Sequence, residues 1–511
     1  MAKSNVAALA AGAMLIALVP QATAAGDSQP PRAILVCNGS TAPCPPGTQH
    51  SSIQKAVDVA QPGDWILIWP GVYHEKGTSL AGVLITKPGL HLRGLDRNLV
   101  VVDGSNGSAS GPCPSDPALQ DFNGGLGRNG IEVFKVDGVS VENLTICDYL
   151  ASAGGDRGNE LWFNGGDGSG QIGMHAYQAS YVSATSMYFK DASSPMAQYG
   201  IFASNAAGPG RISHAYSSNM GDAAYYVGAC PDCNAVLDRV QGEHSALGYS
   251  GTNSGGHLVI QNSEWDDNRA GIVPNSLNNE DAPPPQSGLC PDTSTQSCTM
   301  IRGNFVHDNN DPNVPAFGIS SSSLVGAGIE ISGGMFDTLV GNRIERQGSW
   351  GIVIHDFPDA ETPPPISHCQ GGIQLGPICY FNATGNVVTA NRLADNGFFG
   401  NPSNGDLANQ PPAQSPRNCF FANTDAAGLT SDPAAIQTVD GPPCDQPGTG
   451  GSPALTPQLY CAAGLLPPSC GSYPQQTRVT MLALPPQATM PDPCAAAPAN
   501  LWCQMGFQPS R

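Results

Sequence analysis

A short alternating pattern recurs through the middle of the chain. Each occurrence opens on a small or apolar residue and continues with apolar side chains at every second position; the occurrences span residues 130–134, 173–177, 200–204, 224–228, 247–251, 271–275, 328–332 and 351–355. From residue 200 the starts are separated by 24, 23 and 24 residues, and the last two by 23. Such a period is typical of a solenoid whose units bury their apolar face only against their neighbours. The pattern predicts an all-β chain folded as a right-handed parallel β-helix.

A helix is predicted before the first coils, within residues 51–64. Either Ser51 or Ser52 can cap it, and its apolar face comprises Ile53, Ala56, Val57 and Ala60. We expect this helix to cover the open N-terminal end of the apolar stack.

A second strand follows in many coils and carries an asparagine at a matching place. These residues are Asn143, Asn304, Asn342 and Asn391. We expect a stacked ladder in which the side-chain amides satisfy backbone groups of the turns.

Composition divides the chain into four parts. Residues 1–24 are predicted to be a signal peptide, because one cation at Lys3 precedes a short apolar run and a small-residue cleavage site. Residues 25–50 form a Pro- and Cys-rich leading segment, and residues 51–400 form the β-helix. Residues 401–511 are predicted to be an irregular, disulfide-stapled tail that wraps the C-terminal end of the stack.

Sixteen cysteines fit an oxidising compartment, so we expect a secreted or periplasmic protein. No second apolar run is long enough to cross a membrane. The spacing predicts local disulfide pairs: Cys37 with Cys44, Cys230 with Cys233, Cys290 with Cys298, Cys369 with Cys379, Cys461 with Cys470, and Cys494 with Cys503. A redox or metal role is the alternative for Cys230 and Cys233.

The charge balance limits the kinds of molecule that the chain is expected to bind. The chain has 21 basic and 41 acidic residues, a net charge of −20. Such a field repels nucleic acid and anionic lipid, and it disfavours an unassisted encounter with a polyanionic polysaccharide. A calcium ion held by acids of successive coils would offset that charge and bridge to a uronate. We expect a monomer.

The coil segments carry a family resemblance. The sequence GDAAYYVG at 221–228, and the similarly spaced SALGYS, RAGIVP and WGIVIHD, resemble secreted β-helix repeat proteins with an Asp-Ala-Gly-Ile-Tyr-Val-Gly signature, within the pectate-lyase-like superfamily. The resemblance covers roughly residues 50–400 and departs from the signature at Ala224 and Tyr225. It implies the fold and transfers no catalytic residue.

Side chains that point out of the strand ladder are the candidates for function. Alternate residues of a strand face opposite sides. The second and fourth positions after each start are therefore expected outside: Glu132, His175, Tyr177, Phe202, Tyr226, Tyr249, Val273, Asn275, Glu330, Ser332, Val353 and His355. An exposed aromatic row needs either a ligand or a covering loop, which the insertions at 151–170 or 276–298 could supply.

The ligand hypothesis is a groove for an extended glycan. In it, Tyr177, Phe202, Tyr226 and Tyr249 bind the sugar, and the predicted catalytic residues are His175, Arg269, Glu330 and His355. Arg269 would neutralise a uronate carboxylate while a His or Tyr removes the sugar C5 proton. The alternative is that such residues are structural hydrogen-bond donors at coil corners.

The absence of known catalytic motifs excludes several classes of reaction. The chain lacks usable pectinesterase- and polygalacturonase-type residue sets, and it has no GxSxG, HExxH, Walker A or dinucleotide fingerprint. The leading hypothesis is a polysaccharide lyase or epimerase acting on uronate-containing glycans. A non-catalytic extracellular binding scaffold is the alternative.

Overall fold

The chain folds into a parallel β-helix. The computed structural model describes residues 30–107, 111–191, 193–278, 298–360, 369–452, 454–465, 470–475 and 479–506. Each full coil contributes one strand to each of three parallel stacks, named PB1, PB2 and PB3 in the order in which the chain visits them. The all-β, parallel β-helix prediction is confirmed.

The three stacks account for nearly all strands. PB1 contains Ala81–Ile85, Asn129–Phe134, Asn159–Asn164, Tyr199–Ser204, Ala223–Gly228, Leu247–Thr252, Ala270–Asn275, Ala327–Ser332, Trp350–His355, Gly405–Asn409 and Ser431–Asp432. PB2 contains Ala33–Val36, Trp65–Ile68, His91–Gly94, Ala206–Ser213, Cys230–Asp238, Ser254–Gln261, Thr299–Arg302, Thr338–Val340, Val387–Thr389 and Cys419–Phe421. PB3 contains Gly71–Tyr73, Val100–Asp103, Tyr216–Ser218, Gln241–Glu243, Glu264–Asp266, Phe305–His307, Arg343–Glu345 and Arg392–Ala394. Two long strands, Val139–Cys147 and Met174–Thr185, pass from PB2 into PB3.

Four helices and one small sheet complete the described elements. The helices are α1 (Ile53–Val59), α2 (Ile436–Val439), α3 (Leu455–Ala462) and α4 (Leu501–Gln504). Short 3-10 turns occupy Pro117–Leu119, Asn123–Gly125 and Gly318–Ser322, and an antiparallel sheet joins Phe357–Asp359, Ile373–Leu375 and Ile378–Phe381. Among the described residues no helix is long and apolar enough to cross a membrane.

The inward side chains of PB1 stack in register through the core. Strand by strand they are Val83, Ile131, Leu161, Ile201, Tyr225, Tyr249, Ile272, Ile329, Ile352 and Leu407. All are fully buried. Burial of this continuous apolar column is the main contribution to the stability of the coils.

Helix α1 lies against the start of this column. Ser52 caps it by accepting the backbone N–H of Lys55. The carboxylate of Glu75 accepts the Ser52 hydroxyl and the Ile53 N–H, at 2.9 and 2.6 Å. The apolar residues Ile53, Ala56 and Val57 pack into the main core cluster.

The asparagine ladder is present. Asn304 donates to Asn342, Asn342 to Asn391 and Asn391 to Asn423, each side-chain N···O distance being 2.9–3.0 Å. Asn143 occupies the same type of turn but bonds differently. Its Oδ1 accepts from Thr489 and Met490 of the tail.

The C-terminal region differs from the predicted tail. The strand pattern continues beyond residue 400 through Gly405–Asn409 and Cys419–Phe421 to the short PB1 strand Ser431–Asp432. Helix α3 then packs on the outer face of PB1. Residues 479–506 run back along the stack, and Trp502 packs beside Trp69 near the N-terminal end. The described part of the tail therefore packs along the length of the stack, which the sequence did not predict.

Disulfides follow the predicted local pairing with two additions. Five expected pairs form: Cys37–Cys44, Cys230–Cys233, Cys369–Cys379, Cys461–Cys470 and Cys494–Cys503. Cys113–Cys147 and Cys419–Cys444 were not predicted, because their cysteines lie 34 and 25 residues apart in sequence, farther than those of the local pairs. In the bonded state Cys230 and Cys233 hold no thiolate for a metal. The predicted partner Cys290 and the predicted signal peptide lie outside the described residues.

Candidate functional site

The outer face of PB1 carries one continuous row of side chains. Its members, one per coil, are Leu84, Glu132, Trp162, Phe202, Tyr226, Ser250, Val273, Glu330, Val353 and Ala408. The row divides into a partly exposed aromatic half and a covered half that carries a charged pair.

Two predicted residues do not belong to this face. Residues 174–177 are the first residues of the PB2 strand Met174–Thr185. The PB1 strand of the same coil is Asn159–Asn164, which lies inside the predicted insertion at 151–170. The side chain of His175 is 59% exposed beside Asp137. Tyr177 is only 3% exposed and packs against Phe163 in the core. The predictions for His175 and Tyr177 were wrong in position because residues 165–173 extend this coil between its PB1 and PB2 strands, so the alternating pattern at 173–177 falls in PB2.

Tyr249 also faces the wrong way for binding. It lies in register with Tyr225, it is 0% exposed, and its hydroxyl donates to the Val227 carbonyl at 2.9 Å. Ser250 holds the outward place beside Tyr226. The predicted frame began at Leu247, one residue before Gly248, the residue that corresponds to the glycine at the start of the other coils. That shift of one exchanges the two faces of a strand.

Three partly exposed rings form a surface here called the aromatic platform: Trp162, Tyr199 and Phe202. The Trp162 and Phe202 rings stack with centroids 5.2 Å apart and planes 9° from parallel. The Tyr199 and Phe202 rings stack at 4.3 Å and 18°. Tyr226, the next residue along the outer row, meets Phe202 edge-on at 4.7 Å and is only 4% exposed, so it packs beside the platform without adding to its accessible surface.

Of the platform, sequence reasoning found Phe202 and missed the other two rings. The strand Asn159–Asn164 opens with two polar residues where other coils have small ones, so its alternation escaped notice. Tyr199 lies just before Gly200, the start of its repeat. The ring of Tyr199 nevertheless turns back over Phe202. Trp162 would have been found by a search for alternating apolar positions that also accepts a polar residue at the start of the strand.

Polar groups surround the platform. The Tyr199 hydroxyl donates to Asp222 Oδ2 at 2.7 Å, and Trp162 Nε1 donates to Ser204 Oγ at 3.0 Å. Beyond Trp162, the carboxylate of Glu132 accepts from Asn129 and Asn164, both at 2.9 Å. The surface thus combines flat apolar rings with hydrogen-bonding groups at its edges.

The covered half brings together two of the predicted catalytic residues. His355 Nε2 lies 3.0 Å from Glu330 Oε1, and both side chains are buried. Burial alone would lower the pKa of His355, but the hydrogen bond and charge of Glu330 outweigh it and raise that pKa. With His355 protonated, the two side chains form a buried ion pair.

Arg269, a third predicted catalytic residue, is engaged by the backbone. Its Nε donates to the Ser323 carbonyl at 2.8 Å, and a terminal nitrogen donates to the Ala463 carbonyl at 3.3 Å. Burial lowers its pKa to about 10, although the charge of Glu330 acts in the opposite sense. These contacts match the alternative of a structural donor at a coil corner.

The tail covers this half of the row. Leu455 and Leu459 of α3 join Val273, Val353 and Leu324 in one buried cluster. The predicted insertion at 151–170 supplies a strand instead of a lid, and most of 276–298 lies outside the described residues.

Two groups of side chains on PB3 and its corners could hold a metal ion. Glu264, Asp266 and His307 each offer an atom within 4.8 Å of the others. Glu243, His244 and Asp267 form a second such group on the adjoining coil corners. Both lie on a different face from the aromatic platform.

Comparisons with known proteins find similarity in structure only. No protein-family model matches the chain, and no curated protein matches it. Among solved structures, the A-module of the mannuronan C-5 epimerase AlgE4 from Azotobacter vinelandii is 12% identical, with a TM-score of 0.41 over 74% of this chain and 91% of that chain. Pectate lyase Pel9A is 12% identical, with a TM-score of 0.39 over 86% and 88%. Pectin methylesterase from Yersinia enterocolitica is 12% identical, with a TM-score of 0.26 over 50% and 79%. At these values the assignment of a β-helix rests on the coil geometry itself.

Proposed function

We propose that the outer face of PB1 binds an extended polysaccharide and that the aromatic platform is its central contact. The observation that carries this proposal is the near-parallel stack of Trp162, Phe202 and Tyr199 on neighbouring coils. Large apolar rings that stay accessible on an otherwise polar surface indicate a ligand. Sugar rings present flat C–H faces that pack on such aromatic surfaces.

The spacing of the coils suits a polymer. Neighbouring parallel strands lie about 4.8 Å apart, so a chain laid along the stack crosses several coils. Asp222 is partly exposed at the edge of the platform, where a hydroxyl group of a bound sugar would lie. The platform supplies area, and this polar group supplies orientation.

For a uronate polymer we propose a lyase- or epimerase-type reaction with the Tyr199 and Asp222 pair as its base. As the Tyr199 oxygen takes the C5 proton of the uronate, Asp222 would accept the hydroxyl proton of Tyr199 through the hydrogen bond between them. In a lyase the electron pair left at C5 forms the C4–C5 double bond and expels the O4 glycosidic oxygen, which takes up a proton from water. In an epimerase water on the opposite face of the sugar returns a proton to C5.

The uronate carboxylate must be neutralised for either reaction. Arg269 is committed to backbone carbonyls, so it is replaced in this proposal by a calcium ion shared between the acidic groups of the face and the substrate. Glu132, whose carboxylate lies beside Trp162 in the outer row, could contribute one of its ligands.

A second candidate, a non-catalytic binding scaffold, is favoured by one observation. In the covered half, Glu330 and His355 are paired with each other, and Arg269 donates to backbone carbonyls. Helix α3 packs over this half of the row. A protein that only binds needs the platform and no accessible charged cluster.

One experiment separates the two. The mature protein is mixed with alginate, pectate and glycosaminoglycans, with calcium or with chelator. The absorbance of unsaturated uronate reports a lyase, and proton NMR of the recovered polymer reports an epimerase. We expect calcium-dependent product from the wild type and none from Tyr199→Phe, which keeps the ring but removes the hydroxyl. Binding without product on every polymer would establish the scaffold.

A further inference from the structure

Three acidic residues lie near one another inside the wall of the β-helix, at the corner where PB3 leads back to PB1: Asp103 and Asp148 on adjoining coils, and Glu160, which accepts the N–H of Tyr149, the residue after Asp148. Asp103 ends the strand Val100–Asp103, Asp148 follows Val139–Cys147, and Glu160 lies in Asn159–Asn164. All three are fully buried. They are away from the outer row of PB1, since none of them occupies an outward position of that row.

The backbone forces two of these acids together. Asp103 lies in register with Cys147, and the Gly104 N–H donates to the Cys147 carbonyl at 2.8 Å. A Cβ at Gly104 would lie 2.4 Å from the Asp148 carbonyl oxygen, so only glycine permits this approach. One carboxylate oxygen of Asp103 and one of Asp148 consequently lie within 4.8 Å of each other.

A disulfide fixes the cover of the cluster. Cys113 bonds to Cys147, and the Cys113 N–H donates to Asp103 Oδ2 at 2.9 Å. The same disulfide removes the Cys147 sulfur as a thiolate ligand, so the donors left in the cluster are all oxygens.

Two carboxylate oxygens of this cluster have no hydrogen-bond partner among the residues that the structure describes. Asp148 Oδ1 accepts from the Met187 N–H at 2.7 Å and Ser186 Oγ at 3.2 Å, but its Oδ2 is buried without a partner. Glu160 Oε1 accepts from the Tyr149 N–H at 3.2 Å, and its Oε2 is likewise buried and unpartnered. Buried polar atoms are normally satisfied, so these two indicate a missing partner.

The three charges also lack a counter-charge. None of the three acids takes part in an ion pair of the described residues. Burial, and then the neighbouring charge of Asp103, raise the pKa of Asp148 to about 7. Burial and the charges of Asp148 and Asp103 raise the pKa of Glu160 well above its usual range. Unpaired buried carboxylates are strongly unfavourable, so the cluster needs protons or a cation.

We propose that Asp103, Asp148 and Glu160 form a structural binding site for a calcium-type divalent cation. Calcium takes oxygen ligands at about 2.3–2.6 Å, so two ligands of one ion stand up to about 4.8 Å apart, as Asp103 and Asp148 do. The cation ties PB3 of two coils to the following PB1 strand. This site is independent of the proposed polysaccharide reaction, because it does not reach the outer face.

The test measures calcium binding by the whole mature protein after treatment with chelator. Calorimetric titration with calcium alone is expected to show binding that weakens at least tenfold in Asp148→Asn and in Glu160→Gln. Calcium is also expected to raise the melting temperature of the wild type and to leave both variants unmoved. The matched control is Asp266→Asn, which alters a metal-capable group on PB3 and should bind as the wild type does.

Three outcomes would overturn the proposal. The first is a wild type without calcium binding, which would mean that protons neutralise the cluster. The second is unchanged binding in both Asp148→Asn and Glu160→Gln. The third is binding lost in Asp266→Asn alone, which would place the cation on PB3. If Asp148→Asn does not fold, Glu160→Gln and the wild-type titration still decide.

Discussion

Trp162 and Phe202 stack almost in parallel across two neighbouring coils, with ring centroids 5.2 Å apart. Both rings are partly exposed on the outer face of PB1. Their alignment offers a flat surface wider than either ring, and the proposed function follows from this relationship.

Saccharide binding should be visible through Trp162. Of the six tryptophans, Trp65, Trp265, Trp350 and Trp502 are buried, and Trp69 packs against Trp502 near the N-terminus. We expect the tryptophan fluorescence to change as oligosaccharide is added and the change to vanish in Trp162→Phe. A signal that persists in that variant would place the sugar elsewhere.

Tyr249 should contribute to stability and not to binding. Its buried hydroxyl donates to the Val227 carbonyl, so Tyr249→Phe is expected to cost about 1–2 kcal/mol of unfolding free energy. Denaturant unfolding measures this, and glycan affinity measured on the same variant should be unchanged. The register partner Tyr225, whose hydroxyl donates to the Gln241 carbonyl, is the matched comparison as Tyr225→Phe. A loss of glycan affinity in Tyr249→Phe would contradict the register described for PB1.

Arg269 is expected to act as a clamp between the coils and the tail. Arg269→Ala removes donors from the Ser323 and Ala463 carbonyls and should destabilise the protein by about 2–4 kcal/mol. Denaturant unfolding gives the value. The exposed Arg302, which contacts Gln261, is the control, and Arg302→Ala should cost less than about 1 kcal/mol. If both variants lost the same small amount of unfolding free energy, Arg269 would not hold the tail to the coils.

The pair of His355 and Glu330 should make stability depend on pH. The folded-state pKa of His355 is raised above its unfolded value of about 6.5. The stabilisation is therefore fully present below that unfolded value and is lost as pH rises through the folded-state pKa. Unfolding free energies measured across this interval should fall with pH in the wild type and fall less in His355→Gln. Parallel curves would show that the pair does not titrate as described.

The asparagine ladder should tolerate little change. Asn342 donates to Ile301 O and Asn391 Oδ1, and its own Oδ1 accepts from Asn304. Asn342→Ala leaves these buried groups unsatisfied and is expected to cost about 2–4 kcal/mol, measured by denaturant unfolding. Gln374→Ala, an exposed amide on the small antiparallel sheet, serves as the control and should change little. A ladder variant as stable as this control would refute the role of the stack.

Local periodicity explains what could be predicted from the sequence. The coil spacing, the inward apolar positions such as Ile329 and Ile352, and the asparagine turns are set by residues close in sequence. The same local rule failed where a coil changed its frame, as at Tyr249, or its length, as at His175.

Long-range contacts explain what could not be predicted. The tail reaches Arg97 through the Ala488 carbonyl, across nearly the whole chain, and α3 covers half of the outer row. Neither contact leaves a periodic signal. The burial of Arg269 and Glu330 depends on that cover, so their enclosure was not evident from the strand pattern.

The most direct test of the polysaccharide-binding proposal is the affinity of Phe202→Ala for oligosaccharides of the polymers that the wild type binds. Isothermal titration calorimetry should give a dissociation constant at least tenfold higher than that of the wild type, a loss of about 1.4 kcal/mol. Phe398→Ala, which removes a more exposed ring away from the face, should bind as the wild type does. Equal affinities in Phe202→Ala and the wild type would contradict the proposal that the aromatic platform holds the sugar.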